Sequence, residues 1–275
     1  MLTDYHMHLA DDDVPYTDED FTVAHMQRYL DTAAHRGVAE IGFTDHVFRF
    51  TAARDWLDEP LWQNDGVNDL GRYHAAVQAG QDAGLPVKVG LEVDYLAGQE
   101  EQIAGVVNGW QWDYVLGSVH WIDGYAVDWD AKPIWDLMTV DEVWRRYTDE
   151  LCAAAATGLY DSMAHPDSVK GFGWRPEPAP IALYEQIADA FEAAGVCAEV
   201  STAGLQTPLR EVYPAPPLLK MLCERGVPVT LGSDAHEPGE VGRDFDQSVA
   251  AVHEAGYRTI TVFQRHDRRQ VTLDD

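Results

Sequence analysis

Six of the eleven histidines fall in short, turn-flanked segments that read as strand ends: His6 and His8 in DYHMH, His46 in GFTDH, His120 in GSVHW, His165 in AHPD and His236 in GSDAH. With carboxylates at comparable positions, this is the pattern of a polynuclear metal hydrolase, because imidazole and carboxylate together suit Zn, Mn or Fe. Ligands spread over the whole chain converge only where a fold brings many strand ends to one place. His6 and His8 are two residues apart, as are Asp234 and His236, so along a strand the members of each pair point to one side. A lone histidine at a strand end is more often a satisfied polar residue than a ligand. The joint occurrence carries the reading.

The elements that must position these residues follow from the apolar pattern. Strand-like runs occur at LTDYH, EIGFTDH (40–46), VKVGLEVDY (87–95), DYVLGSVHW (113–121), YDSMAHPD (160–167), CAEVSTAG (197–204), PVTLGSDAH (228–236) and RTITVF (258–263). Between them, segments 20–37, 140–158 and 181–195 show three-and-four spacing of apolar residues and end at glycine, as helices do. Seven or eight strands alternating with helices predict an α/β fold, a parallel sheet closed into a barrel whose active site lies at the carboxyl ends of the strands. Each candidate ligand falls at that end of its run.

Length and composition agree with one domain over residues 1–275, with no low-complexity cut. Cys152, Cys197 and Cys223 lie far apart without a CxxC pair, so neither a disulfide framework nor a thiolate zinc site is expected, and they read as buried, reduced fillers. The start MLTDYHMH reaches the first histidines at once, and no apolar run reaches membrane-spanning length; the expectation is a cytoplasmic protein. With 47 acidic against 19 basic residues the formal charge is −28, which repels nucleic acid and anionic membranes. A small anionic substrate stays compatible, since bound divalent cations reverse the potential inside a pocket.

Taken in order, HMH, GFTDH, GLEVDY, GSVHW, AHPDSVKGFG, AEVSTAGL with EVYP, and GSDAHEPGEVGRDFD resemble the successive motifs of the PHP (polymerase and histidinol phosphatase) superfamily, in its stand-alone histidinol-phosphatase form. The resemblance covers essentially the full chain. It implies a distorted (β/α)7 TIM-like barrel with two or three divalent metal ions, commonly Zn, Mn or Fe. Carried over by position, it puts His6, His8, Glu92 and Asp234 around a first metal, with Glu92 bridging to a second held by His120 and His165. A carboxylate has two oxygens to share, whereas an imidazole offers one nitrogen. His46 and His236 would hold a third. The family's further histidine after HxH is replaced by LADDDVP, where Asp11, Asp12 or Asp13 is either an oxygen ligand or part of a solvated acidic loop. Asp4 and Asp45 are candidates for orienting ligand imidazoles.

Such a site fits hydrolysis of a small phosphate monoester, with L-histidinol phosphate the substrate the resemblance names and a small phosphorylated metabolite the expected partner. Two metals acidify a bridging water and neutralise charge on the phosphoryl oxygens, and no Walker loop, GxSxG elbow or cysteine nucleophile points to a covalent route. Asp234 and His236 are the candidate proton donors to the leaving alkoxide. Arg243, Lys170, Arg175 and Arg210 are the candidate phosphate-binding cations, each weighed against a surface ion pair. Glu199 and Ser201 resemble the family's Glu–x–Asn pattern with serine in place of asparagine, a departure expected to alter substrate contacts. The tryptophan-rich stretch 54–65 is either core packing or a substrate-covering loop. His25, His35, His74, His253 and His266 read as structural or surface. Three other classes share parts of the pattern: an amidohydrolase-like C–N hydrolase, a nuclease-type PHP module and a non-catalytic metal binder.

Overall fold

Short runs such as VKVGLEVD are apolar on both faces, which suits strands covered on both sides in a parallel sheet. In the computed structural model, which describes residues 1–9, 21–129 and 134–273, seven such strands form one sheet. They are β1 (Leu2–Asp4), β2 (Val38–Phe43), β3 (Val87–Asp94), β4 (Tyr114–Ser118), β7 (Ser162–Met163), β8 (Cys197–Ser201) and β9 (Val229–Gly232), neighbours in that order and all parallel. The two edges meet just beyond β1. Tyr5 N–H donates to Leu231 O at 3.0 Å, Asp234 N–H to His6 O at 2.9 Å and His8 N–H to Ala235 O at 2.8 Å. The result is the seven-stranded TIM-like barrel expected, distorted by the brevity of β1 and β7 and a register shift between Leu2 and Thr3.

The eighth apolar run leaves the barrel. As β10 (Thr259–Gln264) it pairs antiparallel with β11 (Asp267–Thr272) and closes the lower end, where Phe263 stacks on Tyr114 with centroids 5.1 Å apart. Tyr114 occupies the barrel interior and donates its hydroxyl to Tyr5 O at 2.7 Å. Room for that ring comes from two glycines: a Cβ on Gly42 would lie 2.0 Å from the Tyr114 hydroxyl, and one on Gly90 3.0 Å from its Cζ. A hairpin of β5 (Trp121–Ile122) and β6 (Tyr125–Ala126) follows β4.

The helical segments fold as their spacing predicts. Helix α1 (Val23–His35) is capped by Thr22 and buries Met26, Tyr29, Leu30 and Ala33. After α2 (Pro60–Asp65), α3 (Leu70–Asp82) and α4 (Glu100–Asn108), α5 (Val140–Ala156) opens with a Thr139–Glu142 capping box. Helix α6 (Ile181–Ala194) ends at Gly195 in the left-handed region, as a C-terminal glycine allows. Helices α7 (Pro216–Glu224) and α8 (Phe245–Ala255) complete the ring. Of the cysteines only Cys197 is buried, while Cys152 and Cys223 are partly exposed, which corrects the expectation of three buried fillers. Trp56 and Trp62 are buried as packing residues. No helix among the described residues is long and apolar enough to cross a membrane.

Candidate metal centre

Glu92 sits near the carboxyl end of β3, fully buried, and the cluster assembles around it. Its Oε2 lies 3.4 Å from His6 Nε2, 3.9 Å from His8 Nε2 and 2.6 Å from His46 Nδ1. Its Oε1 lies 3.2 Å from His165 Nε2 and 3.5 Å from His120 Nε2. The carboxylate thus faces one group of imidazoles with each oxygen. Asp234 Oδ1 completes the rim, 3.3 Å from His6 Nε2, 3.1 Å from His8 Nε2 and 3.5 Å from His236 Nε2. All eight expected residues converge at the barrel's carboxyl mouth. Two of them, His165 (φ 24°) and Asp234 (φ 57°), hold positive φ, a strained backbone that occurs where the surrounding structure dictates a side chain's aim.

Within this cluster four triads offer ligand atoms mutually within 4.8 Å: His6–His8–Asp234, His6–Glu92–His165, His46–Glu92–His120 and His8–His46–His236. The pair His46 and His236 is therefore joined by His8, whose ring stacks on both at 4.1 and 4.4 Å. Asp11, Asp12 and Asp13 lie outside the described residues.

Buried atoms of the cluster, His6 Nε2, His46 Nδ1 and Glu92 Oε2 among them, make no hydrogen bond among the described residues. Buried polar atoms left without a hydrogen bond are costly, and a cation at their common focus satisfies them together. The donor set of imidazole and carboxylate fits Zn, Mn or Fe, so the site could hold metal. The carboxylates and imidazoles perturb one another strongly: against the pull of burial, Glu199, Asp234 and Glu92 raise His6 well above its ordinary value, and Asp94, Asp128 and Glu92 raise His120 likewise. Burial favours a neutral carboxyl at Glu92, yet His46, His6 and His120 hold it well below the usual range. Burial also opposes ionisation of Asp234, but His6, His236 and His8 outweigh it and hold it well below its ordinary value. His8 is pushed well down by burial and by His46 and His236, which keeps its ring neutral as a ligand must be.

Two carboxylates orient the imidazoles from behind. Glu199 Oε1 lies 2.8 Å from His6 Nδ1, and its Oε2 accepts the His165 backbone N–H at 2.7 Å. Asp94 Oδ1 lies 2.8 Å from His120 Nδ1. In both cases the Nε2 is left to face the cluster. Asp4 accepts from Ser233 N–H, the Ser233 hydroxyl and Gly242 N–H, and Asp45 accepts from Leu9 N–H at 3.0 Å. Glu199 and Ser201 are buried and do not line the cavity above the cluster: Glu199 supports His6 and His165, and Ser201 Oγ accepts Ala203 N–H at 3.2 Å.

That cavity, about 540 Å³, is lined by His46, His120, His165, Asp234 and His236 at its base. Its walls include Phe48, Leu61, Trp121, Trp129 and Tyr213, with Asp65 and Asp128 as carboxylates. Helix α2 thus contributes a wall while its tryptophan packs inward. None of Arg243, Lys170, Arg175 and Arg210 lines it. Lys170 is fully buried, its Nζ 2.9 Å from Asp167 Oδ2 and 3.1 Å from Glu211 Oε1. Arg175 pairs with Glu211 and Arg243 with Glu240, each at 2.5 Å, while Arg210 is exposed. The arginine that does line the cavity is Arg49, which the motif-based reading passed over. Of the other histidines, His74 is buried against Gln111 O and His266 pairs with Asp161, in structural roles as expected.

A seven-stranded parallel barrel with a histidine–carboxylate cluster at its carboxyl mouth defines a class of metal-binding barrel proteins. A model of the PHP domain matches residues 16–203, and the chain belongs to the PHP domain family. It is 35% identical over 248 residues to a protein of Deinococcus radiodurans named "Probable histidinol-phosphatase", spanning 89% of this chain and 92% of that one. It is 25% identical to the "Histidinol-phosphatase" of Bacillus subtilis, spanning 80% of this chain and 90% of the relative. The fold superposes with a TM-score of 0.78 and 20% identity on histidinol phosphate phosphatase from Lactococcus lactis complexed with Zn, L-histidinol and phosphate, covering 98% of both chains.

Proposed function

We infer that this protein is a metal-dependent phosphatase that hydrolyses a small phosphate monoester, with L-histidinol phosphate as its substrate. The observation that carries the reading is Glu92, with two oxygens facing two groups of imidazoles at the base of a 540 Å³ cavity. His6, His8, Glu92 and Asp234 would hold one metal and Glu92, His120 and His165 a second, with His46 and His236 left for a third; the mutually close triads support the first and third sets, while around Glu92 they group His165 with His6 and His120 with His46. Zn, Mn or Fe, when bound, supplies Lewis acidity that neutralises charge on the phosphoryl oxygens and makes a water nucleophilic near neutral pH. The chain's residues do the rest. Glu199 and Asp94 fix the imidazoles' rotation, and the apolar walls at Phe48, Trp121 and Trp129 limit water around the leaving group. Of the two candidate proton donors on the cavity lining, Asp234 is held ionised by its histidines, which leaves His236 as the residue that would hand a proton to the departing alkoxide. A metabolite-sized cavity in a chain of formal charge −28 favours a small phosphorylated metabolite over nucleic acid.

The test is phosphate release by protein loaded separately with Zn, Mn and Fe, using L-histidinol phosphate within a panel of sugar phosphates and nucleotides, beside a chelated control. Turnover of L-histidinol phosphate above the panel is expected, and none after chelation. Metal-loaded protein that released no phosphate from any monoester would end the proposal.

A further inference from the structure

The geometry points to Arg49 as the residue that grips the phosphoryl group, an inference that rests on the phosphatase reading above. Among the described residues it is the one lysine or arginine lining the cavity over the histidine cluster. The cations that the motifs offer, Lys170, Arg175, Arg210 and Arg243, do not line it. A phosphate monoester carries up to two negative charges into a lining that already holds Asp65, Asp128 and Asp234. Beside metal charge at the base of the cavity, a planar guanidinium on its wall matches phosphoryl oxygens with two parallel N–H donors.

Arg49 is also built into place. It ends the 3-10 turn Val47–Arg49 that follows His46, so one turn sets both a cluster imidazole and the guanidinium. Its N–H donates to His46 O at 3.1 Å, and its carbonyl accepts Asn68 N–H at 3.1 Å. The side chain is only 9% exposed, with Cζ 5.7 Å from the centroid of the Phe48 ring, which itself stacks on His46 at 4.7 Å. A buried, oriented cation acts more strongly on developing phosphoryl charge than a solvated one and needs little reorganisation during reaction.

Zinc-loaded wild type, Arg49→Lys and Arg49→Met proteins are titrated with inorganic phosphate by calorimetry, with metal content and Tm recorded for each. The Kd for phosphate is expected to rise about 10- to 100-fold in Arg49→Met, the range for losing a charged hydrogen-bonding pair, with partial recovery in Arg49→Lys. On L-histidinol phosphate, kcat/KM should fall by a similar factor while bound zinc stays constant. An unchanged phosphate Kd in Arg49→Met at full metal content overturns the inference. So does a loss of zinc in both variants, which would make Arg49 a support for His46. Wild type that binds phosphate through Arg49 yet turns over no monoester would leave the anion site standing and remove the phosphatase reading instead.

Discussion

Glu199 joins two ligand segments that are distant in sequence, holding His6 by its ring nitrogen and His165 by its backbone N–H. Gly232 makes room for it: a Cβ there would stand 1.8 Å from Glu199 Oε1 and 2.7 Å from His6 Cβ. Only a carboxylate accepts on both sides. In Glu199→Gln one oxygen becomes an NH₂ group, which cannot accept, so one of the two contacts is lost. Metal affinity should drop by about 10- to 100-fold, the usual consequence of removing such an orienting partner. Competition with a chelator of known affinity measures this, and unchanged zinc retention would show that Glu199 does not position the ligands. Glu92→Ala removes the shared ligand itself. It should empty two metal positions together and lower kcat by about a thousandfold or more, since the metals' charge stabilisation amounts to several kcal/mol. Full metal stoichiometry with full turnover would contradict the proposed ligation.

At the scale of elements, the barrel depends on one ring and on the hairpin that seals it. Gly42→Ala puts a methyl on the Tyr114 hydroxyl, where β2 and β4 leave no space, and should cost about 1–3 kcal/mol by overpacking, read as a shift in the urea midpoint. An unchanged midpoint would mean that Tyr114 can leave the barrel axis. Below it, the turn between β10 and β11 places Arg265 and His266 at positive φ, 50° and 65°, strained for residues that are not glycine. His266 is pinned there by its Nδ1, 2.8 Å from Asp161 Oδ2. That hydrogen bond, opposed by partial burial, raises its pKa above the ordinary 6.5. A raised folded-state value stabilises fully below 6.5 and ceases to do so as the pH passes upward through the folded pKa. His266→Asn, chosen because asparagine tolerates positive φ, should therefore cost more stability near pH 6 than near pH 9. Thermal melts of both proteins at the two pH values decide it, and an equal gap would assign the loss to the turn alone. These elements also explain what the sequence could and could not reveal. The eight cluster residues were legible because each ends an apolar run, and a parallel barrel gathers such ends on one face. RTITVF reads as a strand in any sheet, and only the closure of β1 on β9 excludes it from the barrel. Arg49 in VFRF carries no motif, and Lys170 in SVKGFG stands near one, so proximity in sequence singled out a cation that does not line the cavity; its burial against Asp167 and Glu211 is tertiary.

For the molecule as a whole, the formal charge of −28 acts as self-repulsion that favours expansion, and its sign decides how salt should change stability. Two effects oppose one another. Salt screens the exposed ion pairs, such as Arg145–Asp149 at 3.1 Å and Arg225–Asp189 at 2.5 Å, but each exposed pair contributes only about 0–1 kcal/mol. It also screens repulsion among 47 acidic side chains facing 19 basic ones, an imbalance that no handful of pairs offsets. The Debye length falls from about 10 Å at 0.1 M to about 3 Å at 1 M, shorter than most separations between surface carboxylates. Tm should therefore rise as KCl goes from about 0.1 to 1 M, with each kcal/mol gained worth about 2–4 °C in a chain near this size. Chloride is the suitable anion, because sulfate or phosphate would strengthen apolar burial and mimic the effect. The melts are run on chelated and on zinc-loaded protein, since bound metal neutralises part of the charge at the barrel mouth. The rise should persist in both states, because most of the excess carboxylates lie outside the cluster. A flat or falling Tm in both would mean that the local ion pairs outweigh the global field.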